Sequence, residues 1–135
     1  MKKLSVLVLG LFIVLVSSNV FAGEKWPELE AFHKVMSTTF HPAEEGNFEP
    51  IKTRIGEMVE AAAKMNTSTV PAEFNKPEIL ETSKKMEAEA KALEEKIKAG
   101  ATNEEIFKDL TALHDTFHKI VGLCNPKEEH KDEQK

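Results

Sequence analysis

Two histidines four residues apart, His114 and His118, are the residues of this sequence whose types and spacing most directly suggest chemistry. On an α-helix this spacing puts both imidazoles on the same face, one turn apart. Neutral imidazole is a ligand for zinc, copper, nickel and haem iron. A third histidine, His33, lies in the first predicted helix. Whether the three histidines can bind one common metal ion or haem depends on how the helices bring them together.

Apolar residues recur at helical spacing in four segments, which predicts four amphipathic helices. The predicted helices span about 27–40, 50–65, 77–99 and 102–122. Thr102 and Glu105 form the two ends of a capping box at the start of the fourth. The first helix is expected to stop before Pro42, because a residue preceding proline is disfavoured in the helical conformation. Gly100 and Gly122 are expected to end the third and fourth helices.

Connections are short between the first and second helices and between the third and fourth. Helices joined in this way pack as antiparallel neighbours, and the sequence has no alternating β pattern after the first 22 residues. The predicted fold is therefore all-α, an antiparallel up-down-up-down four-helix bundle.

The N-terminus has the pattern of an export signal. Lys2 and Lys3 are followed by an apolar run at 4–16 that is too short to span a membrane, and small residues lead to Ala22. We expect cleavage after Ala22 and a periplasmic or secreted protein that no longer contacts the membrane. The predicted domains are a signal peptide (1–22), the bundle (23–124) and a charged, disordered tail (125–135).

Composition narrows the classes of partner and activity. The net charge of −5 argues against nucleic acid as a partner. Cys124 is the single cysteine, so no disulfide can form within one chain. No nucleophile with a partnered base and no phosphate-binding loop is recognisable, so we predict no enzymatic activity. The partner classes compatible with these features are a redox or metal-delivery protein and a second copy of the chain.

Counting residues along the predicted helices gives a layer of metal-binding side chains. In an antiparallel bundle His33 is expected to face His114, with Met58 of the second helix and Met86 of the third at the same height. His118 and Glu30 are expected one turn away. Histidine and methionine bind haem iron axially and suit soft or borderline metal ions.

The segment 110–118, Leu-Thr-Ala-Leu-His-Asp-Thr-Phe-His, resembles the C-terminal motif of cytochrome c′, which is Cys-x-x-Cys-His-x-x-Phe/Tyr-Arg on the fourth helix of a four-helix bundle. The resemblance implies that His114 is an axial haem ligand and that His33 or Met36 lies nearest the other haem face. Leu110 and Leu113 occupy the two cysteine positions. Any haem would therefore be held without covalent attachment, as in the b-type relative of that family.

Three functions follow as alternatives. The first is a periplasmic protein that binds non-covalent haem for electron transfer or small-ligand binding. The second is a binding protein for bare zinc, copper or nickel through His33, His114 and His118, with Glu30 or Asp115 as an oxygen ligand. The third is an interaction module without a cofactor. A di-iron centre is disfavoured because Glu30-x-x-His33 has only Asp115-x-x-His118 as its second copy.

Overall fold

In the computed structural model, residues 25–125 are described and contain four α-helices and one 3₁₀ turn (Ala72–Phe74), with no β-strand among them. The helices are α1 (Pro27–Glu44), α2 (Glu49–Thr67), α3 (Pro77–Lys98) and α4 (Asn103–Cys124). The all-α prediction is confirmed. No helix in this part of the chain is both long and apolar enough to cross a membrane. The predicted signal peptide, its cleavage after Ala22 and the tail beyond Asn125 lie outside the described residues.

The helices form a four-helix bundle in which each packs against the next along the chain and α1 also packs against α4. One apolar cluster lies between them. Fully burying one large apolar side chain stabilises the fold by roughly 1.5–3 kcal/mol. The largest fully buried side chains come from every helix: Phe32, Met36, Ile51, Met58, Met65, Ile79, Met86, Leu93, Ile106, Leu110, Leu113 and Ile120.

α1 continues through Pro42 to Glu44, so the predicted stop before this proline is wrong. Proline gives up one helical hydrogen bond because it has no N–H. The longer helix in return buries Ala43, which is 4% exposed. Gly46, at φ +84°, donates its N–H to the carbonyl of Ala43 and lies just beyond the helix end. The extra turn keeps His41 and Glu44 on α1.

The other helix ends lie within two residues of the predicted ones, with α2 and α4 each extending two residues further than expected. Gly100, at φ +84°, follows the end of α3. The capping box is present: the N–H of Glu105 donates to Oγ1 of Thr102 at 3.2 Å, and the N–H of Thr102 donates to Oε2 of Glu105 at 2.9 Å. The prediction that Gly122 ends α4 is wrong, because the helix continues to Cys124. The added residues pack against the apolar cluster.

Asn66, in the last turn of α2, ties that helix to α3. Its side-chain Nδ2 donates to Oε2 of Glu87 at 2.7 Å and to the carbonyl of Ser83 at 3.3 Å. Hydrogen bonds from Lys91 and Asn66 hold the pKa of Glu87 below its ordinary value, although partial burial acts in the opposite direction. The bond to Glu87 is a charge-assisted contact between two helices, and such bonds are stronger than neutral ones.

Candidate functional site

Aromatic and imidazole rings fill the boundary between α1 and α4, which approach each other less closely than the other neighbouring helices. Neighbouring rings lie between 4.0 and 6.1 Å apart, measured between centroids. Stacked and edge-on rings at such distances attract one another beyond their burial alone. We call this set the ring seam, and it consists of Phe32, His33, Phe40, Phe107, His114, Phe117 and His118.

His114 and His118 meet in the middle of the ring seam. Their Nε2 atoms are 3.1 Å apart, and the ring planes are almost perpendicular. His118 is exposed, whereas His114 is partly covered by Phe40, whose ring lies parallel to it at 4.0 Å. In the metal-free protein a neutral imidazole can donate its Nε2–H to the lone pair of the other. The two Nε2 atoms therefore lie within hydrogen-bonding distance of each other on α4.

The neutral form of His114 is favoured by its surroundings. Burial lowers the pKa of His114 below its ordinary value, and the neighbouring His118 and the more distant His41 act in the same direction. The carboxylates of Asp115 and Glu44 partly offset this by attracting a positive charge. At neutral pH His114 therefore keeps a lone pair available for a hydrogen bond or a metal ion.

His33 lies elsewhere in the ring seam than the sequence predicted. Its ring stacks on Phe117 at 5.1 Å, and the ring that covers His114 is that of Phe40. Side chains on a helix lean toward the N-terminus of that helix. Residues with higher numbers on α1 contact residues with lower numbers on α4. The side chains of His33 and His114 therefore lean away from each other. By the same rule Phe40 and His114 lean toward each other.

The predicted ligand set is therefore brought together only in part. His114 and His118 are in contact. The rings of His33 and His118 each contact the ring of Phe117, and Glu30 is exposed in the first turn of α1. Within residues 25–125 no three or more His, Cys, Asp or Glu side chains are grouped so that they could hold a metal ion. Of the predicted ligands, only His114 and His118 are in direct contact in the described chain.

The methionines predicted near a haem are core residues. Met36 is 1% exposed, and Met58 and Met86 are 0% exposed. Leu110 and Leu113, at the positions of the cytochrome c′ cysteines, are also 0% exposed. A space large enough for haem would leave these side chains exposed. The described core is closed at this layer and does not fit a haem between the helices.

Two functional neighbours of His114 were not identified as such from the sequence. They are Phe40, which covers its ring, and Glu44, which with His41 acts on its protonation. His41 Nδ1 lies 2.9 Å from Oε2 of Glu44 on the outer surface. With α1 extended through Pro42, these residues follow His33 at intervals of helical spacing on one face, which is the signal that would have found them.

Cys124, the single cysteine, is partly buried at the end of α4. Burial raises the pKa of its thiol above the ordinary value, and the carboxylate of Glu73 adds to this while Lys76 acts against it. A thiol held protonated is a weak nucleophile and a weak metal ligand. Among the described residues, Cys124 does not form a group of three potential ligands with the two histidines of α4.

A groove of about 350 Å³ lies on the other flank of α1, against α2. It contains no histidine, so its chemistry differs from that of the ring seam. Its lining combines small apolar and charged side chains: Pro27, Glu28, Ala31, Val35, Glu57, Glu60, Ala61 and Lys64.

Comparison with known proteins gives no match: no protein-family model, no curated protein and no solved structure is significantly similar to this chain. The resemblance to cytochrome c′ therefore stays a prediction that depends on the residues of α4. The basis for inferring a function is the geometry of the ring seam itself.

Proposed function

We propose that this protein binds a divalent transition-metal ion, such as zinc, copper or nickel, through the Nε2 atoms of His114 and His118. The observation that carries the proposal is the 3.1 Å distance between these two atoms. Zn–N bonds of about 2.0–2.1 Å in a tetrahedral site set two ligand nitrogens roughly 3.3 Å apart. The observed distance is close to this value, so the two rings need only turn until both lone pairs point to an ion beside the line that joins the nitrogens. Imidazole suits all three metals.

The charges around the pair favour a cation bound to neutral imidazoles. Histidine binds a metal only through an unprotonated nitrogen, and the lowered pKa of His114 favours that form at neutral pH. The carboxylates of Asp115 and Glu44 favour a positive charge at His114. Binding is expected to weaken below about pH 6, where histidines become protonated.

The proposal does not require the other two predicted ligands, His33 and Glu30. His33 would have to leave the ring of Phe117 to reach a metal held beside His118. Structural zinc sites are closed by four protein ligands, whereas a pair leaves positions open. An open site favours reversible binding and transfer of an ion. This is compatible with a metal-binding or metal-delivery protein.

The proposal includes an antiparallel arrangement of the helices and export of the chain. The ring contacts support the first, because Phe40 meets Phe107 near the start of α4 while His33 meets Phe117 further along. The pattern of residues 1–22 supports export, so that the metal ion would be taken up in the periplasm or outside the cell.

Non-covalent haem bound through His114, for electron transfer or small-ligand binding, is the second candidate. Its support is the likeness of segment 110–118 to the cytochrome c′ motif, together with the partial burial of His114. The closed packing of Met36 and Met58 would require α1 and α4 to separate before a haem could enter. The metal ion is preferred because the histidine pair can accept it without such a rearrangement.

Metal binding is tested on protein expressed from its full sequence and purified without a histidine tag. Isothermal titration calorimetry with Zn²⁺, Cu²⁺ and Ni²⁺ is expected to give saturable binding. His114→Ala and His118→Ala should each bind more weakly by about tenfold or more, since even outer partners of metal ligands contribute about 10–100-fold. Lys108→Ala, which removes an exposed side chain from α4, is the control and should bind normally.

Ion binding that survives the double variant His114→Ala/His118→Ala would contradict the proposal. Titration with haemin separates the second candidate from the first. An intense Soret band that is lost in His114→Ala, in a protein that binds none of the three ions, would favour haem. A protein that binds neither would correspond to the interaction module without a cofactor.

A further inference from the structure

The metal site proposed on α4 is incomplete within one chain. Zinc in proteins is held by four ligands, and His114 and His118 supply two. Residues 25–125 offer no further His, Cys, Asp or Glu placed to complete a group of three. We propose that a second copy of this chain supplies the missing ligands, so that one metal ion held by both histidine pairs joins two bundles. This inference rests on the proposed function and names the partner of the same site.

The histidine pair is accessible to a second copy. His118 is exposed and His114 is partly exposed, with their Nε2 atoms 3.1 Å apart. Along the same stripe of α4, one turn before and one turn after the pair, lie the smaller residues Thr111 and Gly122. The imidazoles therefore extend further from α4 than their neighbours on this stripe. Two copies can bring their histidine pairs to one point without a clash from these positions.

The geometry of such a dimer follows from its symmetry. A two-fold axis perpendicular to α4, passing between His114 and His118, sets two copies of α4 antiparallel and surrounds the metal with four imidazoles. Neutral imidazoles add no like-charge repulsion at the centre of the contact. The positive metal ion also offsets the repulsion between two chains that each carry a net charge of −5.

Charges beside the pair are complementary under this symmetry. Asp115 and Lys119 are both exposed on α4. In the antiparallel arrangement Asp115 of one copy lies about two residues, or roughly 3 Å of helical rise, from the height of Lys119 of the other copy. Each of these residues follows a histidine by one position and so lies about 100° around α4 from it, which puts the opposite charges at similar height on the flank of the contact. Lys119 is free to exchange partners because its own ion pair, with Glu78, is long at 4.0 Å.

The decisive measurement is the mass of the untagged protein in solution, by light scattering after size exclusion, with zinc or with a chelator. The expected result is a monomer in chelator and twice that mass in zinc, with one zinc bound per two chains. His118→Ala should stay monomeric in both conditions. A reducing agent and the variant Cys124→Ser, which should still dimerise with zinc, exclude a disulfide as the link.

Charge exchange tests the arrangement of the two copies. Asp115→Lys and Lys119→Asp should each raise the zinc concentration needed for dimerisation, since each puts like charges together. The double variant Asp115→Lys/Lys119→Asp should restore it. Dimerisation that is unchanged in both single variants would overturn the proposed arrangement.

The outcomes separate this inference from the proposed function. One zinc per chain with a monomeric mass would overturn the dimer and leave metal binding by His114 and His118 intact. A dimer that forms in chelator, or in the variant His114→Ala/His118→Ala, would also overturn the inference. A protein that binds no metal would overturn both.

Discussion

Replacing Phe40 by alanine is the most direct test of the ring seam. Phe40 is 6% exposed, and its ring packs against His114 at 4.0 Å and against Phe107 at 6.1 Å. Phenylalanine to alanine in a core costs roughly 3–5 kcal/mol of unfolding free energy. We expect about 3 kcal/mol for Phe40→Ala, the low end of that range, because the position is near the end of α1 and its surroundings can partly collapse.

Two variants serve as controls. Phe40→Leu keeps most of the apolar volume and should cost less than about 1.5 kcal/mol. Phe107→Ala removes a ring on the same seam that is only partly buried, so it should cost less than Phe40→Ala. Urea unfolding followed by circular dichroism, with the slope checked for each variant, measures these differences.

The pKa of His114 is a second measurement, and it reports directly on the contact between Phe40 and this histidine. Phe40 contributes to the burial that lowers the pKa of His114, so Phe40→Ala should raise that pKa toward its ordinary value. Titration of the imidazole nitrogens by NMR in the presence of a chelator follows this change. A cost below about 1 kcal/mol, the scale of an ordinary surface or partly buried site, would refute the packing described here. An unchanged pKa of His114 would refute the role assigned to Phe40 as its cover.

The pH dependence of stability and the contact of Asn66 give two further predictions. Because the pKa of His114 is lower in the folded than in the unfolded protein, the unfolded chain binds more protons, and the unfolding free energy should fall as pH drops below about 6.5. In chelator, His114→Gln should show a smaller difference in urea unfolding between pH 8 and pH 5; an equal difference would contradict the assignment. Asn66→Ala should lose about 1–3 kcal/mol, since it removes the bonds to Glu87 and Ser83 and leaves their acceptors without this donor. Thr67→Ala is its control and should change stability little, because this exposed side chain makes only a hydrogen bond to the carbonyl of Ala63 within α2.

The elements of this fold follow from local sequence signals. Apolar residues at helical spacing predicted four helices, and the capping box at Thr102 and the glycine after α3 marked their boundaries correctly. The exceptions are informative. Helix α1 passes through Pro42 and α4 passes through Gly122, because each extension packs further residues against the apolar cluster. A local preference against helix was outweighed by tertiary burial that no local pattern reveals.

The histidine pair of α4 was determined by the sequence alone, because residues four apart on one helix are neighbours in any fold that keeps the helix. The tertiary structure decided what surrounds the pair. Counting residues along two helices predicted that His33 would face His114, but the lean of side chains toward their own N-terminus brings Phe40 there and sends His33 to Phe117. Contacts within one helix are set by its 3.6-residue period, whereas contacts between helices depend on side-chain direction and packing, which only the assembled bundle defines.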